Sequence, residues 1–105
     1  MEQHQYIQFL LENKGSNSIQ RVDTRHDFIE FVGTPKKHPV DKNILVLLTN
    51  PFEKNKHYYE FSLDSICDIE ELNSVSADNG ETAYQVRIWV HKGSLAFKTE
   101  PFIVT

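Results

Sequence analysis

The clearest pattern in this chain lies in residues 84–104, which read YQVRIWVHKGSLAFKTEPFIV. Positions 84, 86, 88 and 90 are apolar or aromatic and alternate with mostly polar ones, which is the two-residue period of a half-buried strand. The next residues, Lys92-Gly93, suit a two-residue turn that would set Val90 opposite Leu95. The pattern therefore predicts a closing β-hairpin, with its second strand over 95–104, and a core built mainly from a sheet.

Length and charge limit the classes of protein to consider. The 105 residues are enough for one domain with a single core. With 11 Lys and Arg against 15 Asp and Glu, the formal net charge is -4. The chain thus has no general attraction for a phosphate backbone, and we expect no nucleic-acid partner. The longest apolar run, Ile44 to Leu48, is too short to cross a bilayer, so we expect no membrane partner either.

The cysteine content leads to an expectation about the compartment. Cys67 is the one cysteine, so no internal disulfide can form. It follows Ile66 in an apolar context without a neighbouring basic residue, and we expect a buried, reduced thiol. The N-terminus has no signal-peptide pattern, and the sequence therefore predicts a cytoplasmic protein.

The chain divides into an N-terminal arm and a β domain. In residues 2–13 apolar side chains recur at spacings of three and four, which predicts a short helix, and Gly15 follows as a stop signal. Because the residues after Gly15 are polar and rich in turn formers, we assign 1–25 to a helix and linker arm and 26–105 to a single β domain.

Within the β domain, glycine and proline mark the expected strand ends. A first strand over 28–32 should end at Gly33-Thr34-Pro35. Residues 44–48 are apolar at every position, so we expect a central strand that is covered on both faces. Residues 64–72 combine a helical spacing of apolar residues with a short length, and we interpret them as a turn followed by a strand.

The predicted fold class is mainly β with one short N-terminal helix. Five or six antiparallel strands fit into about 75 residues, whereas parallel strands would need crossover helices for which there is no room. A small sheet of this kind is expected to curl into a partly closed barrel or sandwich.

Two surfaces are candidates for binding an anion or a partner. Lys36, Lys37 and His38 lie between two prolines that would stiffen a loop, and such a loop could hold a phosphate or a carboxylate. The polar side of the closing hairpin carries a second set with aromatic and cationic side chains: Arg87, Trp89 and His91. A solvated turn and a face covered by another element, such as the N-terminal helix, are the respective alternatives.

A group of carboxylates is the candidate metal site. The densest set of oxygen ligands is Asp64, Asp68, Glu70 and Glu71, of the hard type that magnesium prefers. Strand alternation would send Asp68 and Glu70 to one face and Glu71 to the other, so a solvated, charged sheet edge is an alternative interpretation. The sequence identifies no catalytic residue, since it has no serine-nucleophile motif and its cysteine has no activated setting.

Three motifs carry a resemblance to a known group of proteins. They are Gly33-Thr34-Pro35-Lys36-Lys37-His38-Pro39, Arg87-Ile88-Trp89-Val90 with Gly93-Ser94, and Glu100-Pro101-Phe102. Over its last 75 or so residues the chain resembles a family of short bacterial proteins of unassigned function, some of which carry an inorganic pyrophosphatase label. The resemblance implies a bacterial origin and, under that label, magnesium-dependent hydrolysis of phosphates. The chain has no counterpart of the Asp-rich motif of soluble pyrophosphatases, and no catalytic residue is carried over.

Two functions follow as expectations. The first is a non-enzymatic binding or protein-interaction module without a cofactor, which binds a protein partner, a second copy of itself or a small anion. Exposed sheet edges would make a homodimer a natural form of this module. The alternative is a phosphohydrolase in which the four carboxylates hold magnesium and the basic loop holds phosphate.

Overall fold

A computed structural model describes residues 3–14 and 27–105 of the chain. The predicted linker, 15–25, lies outside these residues. The described elements are one helix, α1, and seven strands, with a single 3-10 turn at Leu63–Ser65 before β4. Their bounds are α1 Gln3–Lys14, β1 Phe28–Lys37, β2 Ile44–Leu48, β3 Tyr58–Ser62, β4 Ile66–Ser76, β5 Thr82–His91, β6 Leu95–Lys98 and β7 Glu100–Ile103. The strands form one antiparallel sheet in the order β4-β5-β1-β2-β3-β6-β7.

The long strand β1 joins the two halves of the sheet. Its first part pairs with β5, from Phe28 to Gly33, and its second part pairs with β2, from Thr34 to Lys37. The expectation that this strand ends at Gly33-Thr34-Pro35 was wrong. Beyond Gly33 the strand has a paired neighbour on one side only, and such a one-sided position tolerates a proline.

The side of the sheet that faces the helix, here called the inner face, carries the core. Tyr6, Ile7 and Leu10 of α1 belong to the same buried cluster as the inward residues of β2, β4 and β5. The predicted helix is confirmed, and it packs against β1 and β4. The hydroxyl of Tyr6 is buried without a hydrogen-bond partner in the described part of the chain, and burial raises its pKa to about 12.

The predicted closing hairpin is wrong in its pairing, although its first strand is confirmed. Val86, Ile88 and Val90 lie on the inner face and are fully buried. The chain turns at Lys92-Gly93, where Ser94 N donates to His91 O over 3.2 Å, but β5 then pairs with β1 and β4 instead of β6. A tight turn sets the direction of the next strand without forcing it to stay beside the first.

Residues 95–104 form two short strands instead of the expected single one. Thr99 has a φ of 61°, in the left-handed region, and there the chain folds back so that Lys98 pairs with Glu100. This turn raises the strand count to seven within 27–105. The sheet is not closed into a barrel: β4 and β7 are its two edges, and no ladder between described residues joins them.

The strand β4 begins with an irregularity that changes the setting of Cys67. The interpretation of 64–72 as a turn followed by a strand is confirmed. The register shifts between Ile66 and Asp68, so Cys67 is the extra residue of a bulge. Cys67 is therefore exposed, and the expected burial of its thiol was wrong. No helix within the described ranges is long and apolar enough to span a membrane.

Candidate functional site

The central strand β2 is fully covered on one face and only partly covered on the other. Leu45 and Leu47 point to the inner face and are fully buried. Ile44, Val46 and Leu48 point to the opposite, outer face, where Ile44 and Val46 are only partly buried and Leu48 is 8% exposed. The position of β2 in the middle of the sheet agrees with the sequence-based prediction, and the expected cover on both faces is complete on the inner face and partial on the outer one. An all-apolar strand thus presents part of its apolar surface to solvent.

The exposed apolar surface continues across the neighbouring strands. Tyr58 of β3, Leu95 and Phe97 of β6, and Ile103 of β7 are each between 44% and 55% exposed. Strand alternation places them on the same outer face as Val46, since Val46 pairs with Glu60 and Glu60 pairs with Phe97. We call the outer surface of β2, β3, β6 and β7 the apolar face; it comprises Ile44, Val46, Leu48, Tyr58, Leu95, Phe97 and Ile103.

Basic side chains line a groove at one side of the apolar face. The groove has a volume of about 360 Å³, and Lys36, Lys37 and His38 line it together with Lys56. Its other lining residues are Pro39, Val46, Leu48, Tyr58 and Glu60. We call it the basic groove. Three lysines face one carboxylate there, so the groove is locally positive on a chain whose net charge is -4.

The structure brings together the three residues of the first predicted site, although not as a loop. Lys36 and Lys37 are the last residues of β1, and His38 begins the turn that follows. Neither lysine makes an ion pair with any residue in the described part of the chain. Lys36, opposite Val46, lies on the outer face with its ammonium group available to a ligand, whereas Lys37, opposite Leu45, leaves the strand on the inner side and lines only the end of the groove. Lys56 donates a hydrogen bond to Pro51 O from the loop between β2 and β3.

His38 fixes the turn at the rim of the groove. Its Nδ1 accepts hydrogen bonds from Val40 N at 3.1 Å and from Asp41 N at 2.8 Å. Because Nδ1 accepts both, the ring proton of the neutral imidazole is on Nε2. Nε2 lies 3.5 Å from Glu60 Oε1. His38 therefore ties the turn to β3 and sets the position of the one carboxylate in the groove.

A second concavity adjoins the basic groove on the apolar face. It has a volume of about 220 Å³ and is lined by Ile44, Phe61, Ser62, Leu95 and Phe97, with Glu60 shared between it and the basic groove. We call it the apolar cleft. The two concavities differ in chemistry and meet at a single side chain.

The second predicted surface, Arg87, Trp89 and His91, lies on another part of the outer surface. Arg87 Nη1 donates to Glu70 Oε1 at 2.8 Å, and its Nε lies 3.8 Å from Glu30 Oε2. The Arg87 guanidinium also lies 5.8 Å from the centre of the Trp89 ring.

The two aromatic members of this surface are likewise in contact with neighbours. Trp89 is only 5% exposed, and the His91 ring packs against Phe28 with 4.6 Å between ring centres. The helix α1 packs against β1 and β4 on the inner face, in the same buried cluster as Val90, so it is not the element that covers Trp89. Trp89 therefore has little surface to offer to a ligand, and the Arg87 side chain, although 35% exposed, is already paired with Glu70.

The four carboxylates of the predicted metal site have different settings. Asp68 is 3% exposed and accepts a hydrogen bond from Ile69 N at 2.9 Å, while Glu70 pairs with Arg87. Glu71 and Asp64 are exposed. Within the described residues, no three His, Cys, Asp or Glu side chains come together in an arrangement that could hold a metal ion.

Lys56, Tyr58 and Phe97 are parts of the candidate site that the sequence did not indicate. They come from the end of the β2–β3 loop, from β3 and from β6. The pairing of β3 with both β2 and β6 places Lys56 and Tyr58 in the groove with Lys36, and Phe97 in the adjoining cleft. Their one sequence signal was the complete apolarity of 44–48, which implies apolar cover on each side of that strand. Comparison with protein-family models, with curated proteins and with solved structures gave no match.

Proposed function

We propose that this protein is a non-enzymatic interaction module of the cytoplasm, whose protein partner covers the apolar face and reaches into the basic groove. The incompletely covered outer side of β2, which continues into the exposed apolar residues of β3, β6 and β7, is the observation that carries the proposal, because a strand that is apolar at all five positions is typical of cover on both faces. Exposed apolar residues on three adjacent strands, β3, β6 and β7, together with a charged, polar rim, are typical of a protein-binding surface.

The energetics favour a protein partner over a small anion. Burying the exposed halves of Tyr58, Leu95, Phe97 and Ile103 would contribute about 1 kcal/mol each. A small anion in the basic groove would leave that apolar surface in water. A second copy of the chain is the other occupant that could cover it, with the apolar faces of two copies in contact.

Site-specific photo-crosslinking tests the proposal. A photoreactive amino acid replaces Phe97 on the apolar face or, as the control, Val32, which has nearly the same exposure but does not line the groove or the cleft. In cells that produce the protein, we expect one covalent adduct at position 97, identified by mass spectrometry, and none at position 32. The adduct should decrease when Lys36→Gln and Lys56→Gln are added.

The protein found in the adduct shows whether the partner is a different protein or a second copy of this chain. An adduct with a second copy, together with a dimer on size-exclusion chromatography, would favour self-association. No adduct at 97, or equal adducts at 97 and 32, would contradict the interaction module.

The alternative function is a magnesium-dependent phosphohydrolase, and it would need Asp64, Asp68, Glu70 and Glu71 to act together. Their different settings give it less support, since Glu70 already pairs with Arg87. A phosphate-release assay on pyrophosphate, with and without magnesium, distinguishes the two functions. Magnesium-dependent release that is lost in Asp68→Asn would support the enzyme and contradict the interaction module.

A further inference from the structure

One row of side chains crosses the candidate site from strand to strand. Lys36 pairs with Val46, Val46 with Glu60, and Glu60 with Phe97, so these residues lie side by side on four adjacent strands. Adjacent strands are about 4.8 Å apart, which places the two ends of the row about 14 Å apart. An extended chain advances about 3.3 Å per residue, so four or five residues of a ligand would span the row.

The two ends of this row call for different chemistry in a ligand. At the β1 end, Lys36 has no carboxylate partner within the described residues, and Lys56 lies in the same groove. At the β6 end, Phe97 and Leu95 line the apolar cleft. Between them, Glu60 lies 3.5 Å from His38 Nε2, which orients the carboxylate toward the imidazole.

We infer that the partner binds through an extended acidic segment that crosses the strands. Its Asp or Glu carboxylates pair with the lysines of the basic groove, and a large apolar side chain four or five residues away occupies the apolar cleft. This inference rests on the proposed function and names the chemistry of its partner. The net charge of -4 repels acidic chains in general, so attraction is confined to the groove and binding requires both contacts.

A random seven-residue peptide library displayed on phage tests the inference with the full-length chain as bait. We expect enrichment of peptides with Asp or Glu at one end and Phe, Leu, Ile or Trp about four or five positions away. Such a spacing comes from the sheet geometry and would not arise from general electrostatic attraction. Enrichment without acidic residues, or no enrichment, would overturn the inference.

Matched variants then locate the binding of the most enriched peptide. Fluorescence anisotropy should show about tenfold weaker binding for Lys36→Gln with Lys56→Gln, and about fivefold weaker binding for Phe97→Ser. Lys92→Gln with Lys98→Gln also removes two positive charges, from residues that line neither the groove nor the cleft, and Val32→Ser removes a similarly exposed apolar side chain, so both controls should change binding less than about twofold. Higher salt should weaken binding to the wild-type chain.

Other results would contradict the inference without affecting the proposed function. Equal peptide binding by the lysine variant, or tighter binding of a single-stranded oligonucleotide than of the peptide, would overturn the acidic segment as the ligand. If crosslinking at position 97 still captures one protein, the interaction module stands and only its partner chemistry is wrong. If crosslinking also fails, both proposals fall.

Discussion

Two regions of the same outer surface both contain cationic and aromatic side chains, but these are paired or buried in one region and unpaired or exposed in the other. Over β4, β5 and the first part of β1, which we call the paired region, Arg87 pairs with Glu70 and Trp89 is buried. On the apolar face and its basic groove, Lys36 has no carboxylate partner in the described chain and Phe97 is 44% exposed. The difference comes from the strand alongside: the cross-strand neighbour of Arg87 on β4 is Glu70, whereas that of Lys36 on β2 is Val46. Residue type alone therefore does not identify a binding surface, since the neighbouring strand determines whether a cation is already satisfied.

The aromatic residues give the sharpest test of this comparison. Trp89→Ala should lower the free energy of unfolding by about 3 kcal/mol, because it removes a large side chain that is 5% exposed. Phe97→Ala should cost less than about 1 kcal/mol, since half of that ring is already in water. Urea unfolding followed by circular dichroism measures both values. Equal losses would contradict the distinction between the two regions.

A change at the junction of the two regions should have the next largest effect. A Cβ at Gly33 would collide with the carbonyl oxygen of Leu48 and would lie 2.9 Å from Leu47 Cγ. Because the first of these is backbone, β1 and β2 must move apart, and we expect Gly33→Ala to cost about 2 kcal/mol. The same urea titration measures the loss. A cost below about 0.5 kcal/mol would show that the crossing of β1 onto β2 is not tightly packed.

A buried tyrosine on the inner face makes the free energy of unfolding depend on pH. The Tyr6 hydroxyl has its pKa raised to about 12 by burial, above the value of about 10 in the unfolded chain. Between these values the folded state keeps a proton that the unfolded state has lost, so stability is complete below pH 10 and falls as the pH rises toward 12.

Tyr6→Phe isolates this contribution from the other groups that titrate at high pH. Thermal unfolding of the two proteins should diverge above about pH 10, with the wild type losing more. Parallel pH profiles would show that the hydroxyl is not buried under the helix.

The smallest expected difference in the free energy of unfolding is between variants of Arg87 and Lys36. Arg87→Gln should lower the free energy of unfolding by about 1 kcal/mol, because it breaks the pair with Glu70 and removes the contact with Trp89. Lys36→Gln should change stability by less than about 0.3 kcal/mol and should act on binding only. Guanidinium chloride is unsuitable here because it screens ion pairs, so urea is the denaturant. A larger loss for Lys36→Gln would mean that this lysine has a structural role.

Local patterns in the sequence predicted the elements better than their pairing. The helix, the alternation in β5 and the turn before β4 depend on neighbouring residues, and the structure contains all three. The partner of β5 depends on a residue far away in the chain, since Phe28 pairs with His91. The turn at Thr99 was missed because threonine is not a typical residue for a left-handed φ.

The candidate site was predicted only in part for the same reason. Lys36, Lys37 and His38 are adjacent in sequence, so their clustering was visible, and the structure places all three in one groove. Phe97 joins this site only because β6 pairs with β3, and no local pattern indicates that pairing. Similarly, the cross-strand neighbours that satisfy Arg87 come from two other strands.

The exchange of partners along β1 has a consequence for how the chain folds. Strands β2 and β3, and likewise β4 and β5, are close in sequence and can pair soon after they are synthesised. The first part of β1 must wait for β5, which follows more than half a chain length later. We therefore expect the β2–β3 and β4–β5 hairpins to form early. In a later step β1 pairs with both hairpins and joins them into one sheet. The N-terminal half of β1 stays unpaired until the ribosome has released β5.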